Sequence, residues 1–151
     1  MPALDSASDI TQFCPPYRNL SGDQKLNVWA EIFAATSYYE SDWDPTATSV
    51  DNGTQSDKNT WSVGLLQLSV VDQKNYNLDF GDYFSDLQDP LKNLTLGVAI
   101  MARQIESYGQ VLIPVGGSGL YWSTLHPGGK ADQSAKIEAE TGKLSFCQNS
   151  P

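Results

Sequence analysis

The two cysteines of this 151-residue chain, Cys14 and Cys147, lie near its opposite ends and restrict the folds that it can adopt. A disulfide between them would tie the two ends together and stabilise the fold by about 4–5 kcal/mol through loop closure. The alternative is a pair of unrelated buried thiols. We predict the disulfide, which forms in oxidising compartments, and therefore a secreted or periplasmic protein.

Length and charge limit the class of protein and the kind of partner. A chain of 151 residues fits one domain with a real core, predicted over residues 1–151. The formal net charge of −9 argues against nucleic acid and anionic membranes as partners, because both require a basic surface. No apolar run approaches the roughly 20 residues of a membrane span. We expect a monomer that needs no cofactor and no metal, since the cysteines and His126 lack ligand spacing.

Capping residues predict the start of the first long helix. Residues 1–20 are predicted as an irregular arm tied to the C-terminus, because the two prolines after Cys14 oppose helix. Ser21 then fits an N-cap, with Gln24 at the capping-box position. Helical spacing continues to Glu40, so Glu40 lies near the C-terminal end of this helix. The predicted apolar stripe is Leu26, Trp29, Ile32, Phe33 and Thr36.

The remaining chain is also predicted to be mostly helical. Residues 49–60 form a polar loop or a short hairpin, and residues 61–76 a short apolar helix. A second long helix covers residues 89–108 and ends at Gly109. A short helix at residues 121–125 and a polar helix at residues 130–141 complete the chain. The predicted stripe of the second long helix is Leu91, Leu94, Val98, Met101, Ile105 and Tyr108.

Acidic side chains are the candidate reactive groups. With a single histidine, a serine or cysteine triad is improbable, and no phosphate-binding loop or zinc-binding H-E-x-x-H motif is present. Glu40 is unusual because the helix dipole disfavours a carboxylate at a helix C-terminus. This position favours a chemical role for Glu40 over that of a solvated surface charge.

Three segments resemble the soluble lytic transglycosylase domain, a branch of the lysozyme superfamily related to goose-type lysozymes. The segment "ESDWDPTATS" resembles its first motif, in which a catalytic glutamate ends a helix. The segment "VGLLQLS" resembles the second motif, G-L-[ML]-Q, and "DPLKNLTLG" resembles the start of the helix that follows it. The resemblance extends from about Leu26 to Tyr108. It implies a mainly α, α+β lysozyme-like fold, with a helical domain and a small loop or hairpin lobe flanking the glycan cleft.

Two departures from the family pattern bear on activity. The third family motif, A-Y-N-[AG]-G, is replaced by "GLYWSTL", in which Tyr121 stands for the family's tyrosine. The loop between Ser49 and Gly64 is longer than in typical transglycosylases and adds Asp51 and Asp57.

The resemblance implies a glycosidase with Glu40 as general acid. The helix C-terminus and the aromatic side chains around it are expected to raise the pKa of Glu40. A hydrolase also needs a base to activate water. We predict Asp51 for this role, with Asp57 as the reserve, against the alternative that both are solvated loop residues. In a lytic transglycosylase the sugar's own 6-hydroxyl attacks instead and gives a 1,6-anhydro product.

Further side chains are predicted to contact the glycan. Aromatic rings suit the C–H faces of sugars, although each of these tryptophans has burial in the core as its alternative. Trp29, in the middle of the first stripe, is predicted to be core. The predicted substrate contacts are Ser49, Gln67, Tyr121, Trp43, Trp61, Trp122 and Asp57.

The acidity of the predicted cleft suggests a particular glycan. The segment from Glu40 to Asp57, both included, contains five acids and no basic residue, which favours an amine-bearing substrate such as N-deacetylated peptidoglycan. With this acidic segment, the chain resembles the lysozymes with which predatory bacteria attack deacetylated peptidoglycan. Alternatively, the acidity serves only solubility. A different class of protein is also possible, a non-catalytic module that binds glycan or inhibits lysozymes. The retention of Glu40, Ser49 and Gln67 argues against this alternative.

Overall fold

The structure, a computed structural model, describes residues 2–50, 56–79, 83–116 and 121–148. The chain divides into two compact units. One unit contains residues 1–36 and 101–151, and the other contains residues 37–100. The expectation of one catalytic domain over residues 1–151 stays a prediction.

The described residues are mainly helical and include a small two-stranded antiparallel sheet, as predicted. Strand β1 (Thr48–Ser49) pairs with β2 (Ser62–Val63), with Thr48 opposite Val63 and Ser49 opposite Ser62. The α-helices are α1 (Pro2–Asp5), α2 (Ile10–Phe13), α3 (Gly22–Ser41), α4 (Pro90–Tyr108), α5 (Ser134–Thr141) and α6 (Ser145–Gln148). Short 3₁₀ helices occupy Tyr17–Asn19, Lys58–Thr60, Val70–Tyr76, Phe84–Gln88 and Ser123–Leu125. Within the described ranges, none of the helices combines the length and apolarity that a membrane crossing requires.

Helix α3 begins with the predicted capping box. The backbone N–H of Gln24 donates to the Ser21 hydroxyl at 3.3 Å, and the backbone N–H of Ser21 donates to the Gln24 side chain at 3.0 Å. These two bonds satisfy donors that the first helical turn leaves without a partner. The sequence signal therefore located the start of this helix correctly.

The predicted stripe of α3 is correct except at Leu26. Trp29, Ile32, Phe33 and Thr36 are buried, but Leu26 is 50% exposed. At 3.6 residues per turn, Leu26 lies roughly a third of a turn from Ile32, which is fully buried, and so falls outside the buried face. The predicted core position of Trp29 is confirmed, and its indole N–H donates to the Tyr17 hydroxyl at 2.8 Å.

The predicted stripe of α4 is wrong in its orientation. Leu91, Val98 and Tyr108 are exposed, whereas Met101 and Ile105 are buried as expected. The buried face is rotated by about a quarter of a turn from the predicted stripe. It includes two polar side chains, which a count of apolar residues overlooks. The buried positions are Asn93, Leu96, Gly97, Ile100, Met101, Gln104 and Ile105. The predicted end of α4 is confirmed by Gly109, which has φ +74° and donates to the Ile105 carbonyl at 2.7 Å.

The apolar helix predicted over residues 61–76 is not formed. The segment contains β2, a tight turn over residues 64–67 and the 3₁₀ helix Val70–Tyr76. Gly64 and Gln67 have φ values of +73° and +50°, in the left-handed region that a right-handed helix excludes. The backbone therefore reverses direction here, and Val63 and Leu68 pair across the turn.

The C-terminal helix starts four residues later than predicted. The Asp132 carboxylate accepts hydrogen bonds from the backbone N–H of Ser134 at 2.9 Å and from its hydroxyl at 2.6 Å. These bonds hold the chain in a turn just before α5. The short helix expected at residues 121–125 is the 3₁₀ turn Ser123–Leu125, and α6 adds a helical turn that was not predicted.

The N-terminal arm is more regular than predicted and is tied to the C-terminus as predicted. It contains α1 and α2, and the second of these buries Ile10 and Phe13 before the prolines end it. The Cys14–Cys147 disulfide is confirmed, with 4.8 Å between the two Cα atoms.

Candidate functional site

Glu40 is the second-last residue of α3, so its predicted position at a helix C-terminus is confirmed. The backbone turns sharply after Ser41. Asp42 and Trp43 both have left-handed φ values, +54° and +59°, which are uncommon for residues other than glycine. Such outliers often occur at functional sites, where surrounding contacts hold the backbone in place. Glu40 is partly exposed at the end of this helix.

Aromatic rings pack together on either side of Glu40 in the sequence. The ring centroids of Tyr38 and Trp43 are 4.8 Å apart, and those of Tyr38 and Tyr39 are 5.0 Å apart. Trp43 is 58% exposed, so much of its ring remains accessible. The left-handed backbone at Trp43 turns this side chain back onto Tyr38. The result is an exposed aromatic surface at the end of α3.

Ser41 joins the first sequence motif to the second. Its hydroxyl lies 3.0 Å from the carbonyl oxygen of Ser37 and 2.9 Å from that of Leu65. One hydroxyl proton is therefore shared between the helix and the turn over residues 64–67. This contact fixes the residue next to Glu40 against the G-L-L-Q segment.

The turn over residues 64–67 is also tied to the chain that follows α3. The backbone N–H of Gly64 donates to the Ala47 carbonyl at 2.8 Å. The Gln67 side-chain amide donates to the carbonyls of Ala47 at 3.3 Å and Gly64 at 3.0 Å. Gln67 was predicted to contact substrate, and the structure shows that its NH₂ group braces this turn.

Asn93 holds the same turn from the other side. It is fully buried at the start of α4, where its side-chain oxygen accepts from the Leu66 N–H at 3.0 Å. Its NH₂ group donates to the carbonyls of Val63 at 2.8 Å and Leu87 at 2.9 Å. Asp89 caps this helix by accepting from the N–H groups of two residues in its first turn. The three sequence motifs therefore form one hydrogen-bonded frame within residues 37–100. Asn93 belongs to the motif quoted for α4, but its role in holding the turn was not predicted.

Of the two acids proposed as the base, Asp57 lies among the described residues and Asp51 does not. Asp57 is exposed, and its carboxylate accepts from the Asn59 N–H at 3.0 Å, capping the 3₁₀ helix Lys58–Thr60. Asp51 lies outside the described residues, within the segment predicted to form a polar loop or a short hairpin. Ser49 lies in β1, opposite Ser62, and is partly exposed.

The tryptophans predicted to stack on sugars occupy different environments. Trp61 is partly exposed, with its ring centroid 5.9 Å from that of Phe84 and the Lys58 ammonium 5.5 Å from its centroid. Trp122 belongs to the other unit and is only 2% exposed, in agreement with the core alternative. Tyr121 is partly exposed beside it, with 5.1 Å between their ring centroids.

Gly64 offers a direct test of the frame. A Cβ atom at this position would collide with the Leu87 carbonyl oxygen and would lie 2.5 Å from the Asn93 side-chain nitrogen. Gly64→Ala is therefore expected to lower the free energy of unfolding by about 2–4 kcal/mol, from the left-handed backbone together with overpacking. Urea denaturation would measure this loss.

Gly109→Ala is the matched control for Gly64→Ala. Gly109 has nearly the same φ, +74°, but a Cβ atom added there would have no atom within 4 Å among the residues beyond its chain neighbours and its own helix. Gly109→Ala should therefore lower the free energy of unfolding by only about 1 kcal/mol, which is the contribution of the left-handed backbone alone. Equal losses for the two variants would contradict the role assigned to the Asn93 contact.

The chain belongs to the transglycosylase SLT domain family, whose family model matches residues 19–119. The matched region includes all three motifs that form the frame. The fold is thus that of the lysozyme-like and transglycosylase-like proteins that act on peptidoglycan, and family membership indicates a glycan-cleaving enzyme.

Solved structures of DslA (Bd0314) are similar to this chain over 97% of its length, at 30% sequence identity. The wild-type form 2 structure has a TM-score of 0.80, and 83% of that chain is covered. Two variants, each with one glutamate replaced by glutamine, have TM-scores of 0.78 and 0.81, with 87% and 83% of those chains covered. The two replaced glutamates are eleven residues apart in DslA. No match was found among proteins with curated descriptions.

Proposed function

We propose that this protein is a lysozyme that hydrolyses the β-1,4 glycan backbone of peptidoglycan, with Glu40 as the general acid. One observation carries the proposal. Glu40 lies in the last turn of α3 beside Ser41, whose hydroxyl donates to the Leu65 carbonyl of the G-L-L-Q turn, in a chain of the transglycosylase SLT domain family. The hydrogen bonds of Ser41 hold the residue that directly follows Glu40, and a proton donor must be held in position to act.

Glu40 would donate its proton to the oxygen that links the two sugars. The bond from that oxygen to the anomeric carbon then breaks, and the ring develops oxocarbenium character. General acid catalysis of this kind contributes about 10²–10⁴-fold to a rate. The exposed ring of Trp43 would support an adjacent sugar through its C–H face.

For the base we propose Asp51, which follows Glu40 by eleven residues. The same separation divides the two glutamates that were replaced in DslA, which supports Asp51 over Asp57. Asp57 already uses one carboxylate oxygen to cap a 3₁₀ helix, so it is less suited to hold a water molecule. In an inverting hydrolase the two carboxyl groups would be roughly 6.5–9.5 Å apart to admit that water.

The main alternative is a lytic transglycosylase, which the name of the matching family favours. Such an enzyme needs only the acid, because the 6-hydroxyl of the sugar attacks and yields a 1,6-anhydro product. The acidic loop after Ser49 favours hydrolysis, since it supplies carboxylates that a transglycosylase does not need. A non-catalytic glycan-binding or lysozyme-inhibiting module is a third candidate, which turnover of purified sacculi would exclude.

We further propose that the substrate is N-deacetylated peptidoglycan. Asp42 and Asp44 are exposed directly after Glu40, where they would attract the free amines of such a glycan. Hydrogen bonds from the Thr46 hydroxyl and backbone N–H lower the pKa of Asp44, so this carboxylate keeps its charge in mildly acidic solution. The alternative, that this acidity serves only solubility, predicts equal cleavage of acetylated and deacetylated sacculi.

A secreted or periplasmic location is proposed on the basis of the disulfide. The Cys14–Cys147 bond is compatible with an oxidising compartment, where such bonds persist. The proposed substrate, peptidoglycan, also lies outside the cytoplasm, which agrees with this location.

Mass spectrometry of the products tests the reaction and the substrate together. From deacetylated sacculi, the wild-type protein should release reducing-end sugars, heavier by one water than the 1,6-anhydro forms. Asp51→Asn should slow this release at least about 100-fold with little change in KM, because a base acts mainly in the transition state.

Asp57→Asn is the matched control, since it removes the reserve acid from the same loop and should retain most of the activity. Anhydro products from the wild-type protein would overturn hydrolysis while leaving the role of Glu40 intact. A larger loss in Asp57→Asn than in Asp51→Asn would transfer the role of base to Asp57.

A further inference from the structure

A pocket in the unit formed by residues 1–36 and 101–151 is lined by residues to which the proposed cleavage assigns no role. Its volume is about 260 Å³, somewhat below the roughly 300–1,000 Å³ typical of pockets for drug-sized ligands. It therefore suits one sugar ring or one extended side chain rather than a length of glycan. The lining residues are Ser8, Asp9, Gln12, Gln110, Leu112, Pro114 and Pro127.

Asp9 provides a fixed acid in this pocket. It is only 7% exposed, and its two carboxylate oxygens accept from the N–H groups of Val111 at 2.9 Å and Leu112 at 2.8 Å. Each carboxylate oxygen can accept a further hydrogen bond. The two backbone contacts thus hold the carboxylate in one orientation, and its oxygens can still accept further hydrogen bonds.

The other polar lining residues also present acceptors. The Ser8 hydroxyl donates to the Gly109 carbonyl at 2.9 Å, which leaves its oxygen lone pairs available. Gln12 and Gln110 are exposed lining residues, and each side chain has a carboxamide oxygen that can accept a hydrogen bond. The apolar part of the lining comes from Leu112 and two prolines. Among the described residues that line the pocket, none is basic.

The negative charge of Asp9 also acts on Glu138, an acid of the same unit that is not among the residues lining the pocket. Burial raises the pKa of Glu138 above its ordinary value, and the negative charges of Asp9 and Asp132 raise it further. The field of Asp9 is therefore felt by a neighbouring acid in the same unit. The net charge of −9 adds to the attraction of a cation.

We propose that this pocket binds a primary ammonium group carried on a small body with an apolar face. The ammonium would donate to Asp9 and to the acceptors of Ser8 and Gln12, while the body packs against Leu112 and Pro114. Either an N-deacetylated amino sugar or the side-chain amine of a peptide could supply this group. None of the lining residues is assigned to the cleavage chemistry, so the proposal can fail while the proposed reaction stands, and the reverse.

Titration of the ¹⁵N-labelled protein, followed by NMR, tests the proposal with three probes. Glucosamine and Nα-acetyl-lysinamide carry a primary ammonium group, and N-acetylglucosamine is the uncharged counterpart of the first. We expect the amide signals of Ser8, Gln12 and Gln110 to shift with glucosamine, with the lysine derivative or with both, and the responding probe identifies the source of the amine. Binding should weaken at high salt. Equal shifts with N-acetylglucosamine, or none with any probe, would overturn the proposal.

Two variants locate the binding in this pocket. Asp9→Asn should weaken ammonium binding at least 10-fold. This variant also places an NH₂ donor against one of the two backbone N–H groups, so one of those hydrogen bonds is lost. Gln12→Lys leaves the Asp9 contacts intact and introduces an ammonium group that competes inside the pocket, so it should also weaken binding at least 10-fold. Asn27→Lys adds the same charge at an exposed position of α3 in the same unit and should change the affinity less than twofold. Similar weakening by Gln12→Lys and Asn27→Lys would show general charge attraction and contradict the site.

Discussion

Replacing Glu40 by glutamine is expected to lower the rate of sacculus cleavage by about 10²–10⁴-fold or more, with the fold unchanged. Glutamine keeps the size and shape of the side chain but has no proton to give to the leaving oxygen. The frame does not depend on Glu40 for the contacts described above, which involve Ser41, the turn over residues 64–67 and Asn93. Release of soluble fragments from purified sacculi measures the rate, and circular dichroism with thermal melting checks the fold.

Glu31→Gln is a suitable control, because it removes an acid from the same helix two and a half turns earlier. It should leave cleavage within about twofold of wild type. Substantial activity in Glu40→Gln would mean that another acid donates the proton. A wild-type protein that binds glycan but never cleaves it would favour the non-catalytic alternative.

Removal of the disulfide by the double substitution Cys14→Ala and Cys147→Ala should lower the free energy of unfolding by about 4–5 kcal/mol. The bond joins residues 133 positions apart, so it closes a very long loop and strongly restricts the unfolded chain. Both cysteines are buried, and the loss of their packing adds to the effect. Guanidinium denaturation of the variant and of the wild-type protein measures the difference.

Reduction provides the matched comparison for this variant. The wild-type protein should lose a similar stability in dithiothreitol, whereas the double variant should be insensitive to it. Thiol titration of the denatured, unreduced wild-type protein should find no reactive thiol. Two thiols per chain would contradict the bond.

Local signals predicted local structure well. The start of α3 follows from Ser21 and Gln24, which are three residues apart, and the end of α4 follows from Gly109. The position of Glu40 at a helix end also follows from spacing within a single helix. In each case the decisive contact joins residues close in the sequence, so the pattern contains the physical cause.

Predictions failed where distant polar contacts decide the structure. Residues 61–76 look helical by composition, but Asn93 binds Val63 and Leu66 from about thirty residues away and holds a turn there. The same asparagine lies on the buried face of α4, which an apolar stripe could not reveal. Burying such a group is favourable only because its partners are in place, and those partners are visible only in the fold.

The candidate site was predictable to different degrees. Motif spacing singled out Glu40 and Gln67 as candidates, but it predicted a helix where Gln67 lies in a turn, and it did not separate substrate contacts from residues that hold the backbone. Gln67 and Asp57 both make hydrogen bonds to backbone groups, a role that their polar character alone does not reveal. Trp122 is buried, whereas Trp43 is exposed because two left-handed residues turn the chain at the end of α3.

The hydrogen bonds from Ser41 and Asn93 to the turn have a consequence for how such proteins diverge. Their partners are main-chain groups of Val63, Leu65, Leu66 and Leu87, which every amino acid except proline can supply in full. Mutations among these partners can therefore accumulate, within the limits of packing, while the polar frame persists. Grafting experiments that transfer the acid to another scaffold should accordingly move Ser41, Gly64 and Asn93 as a set and can leave the intervening side chains free for library variation.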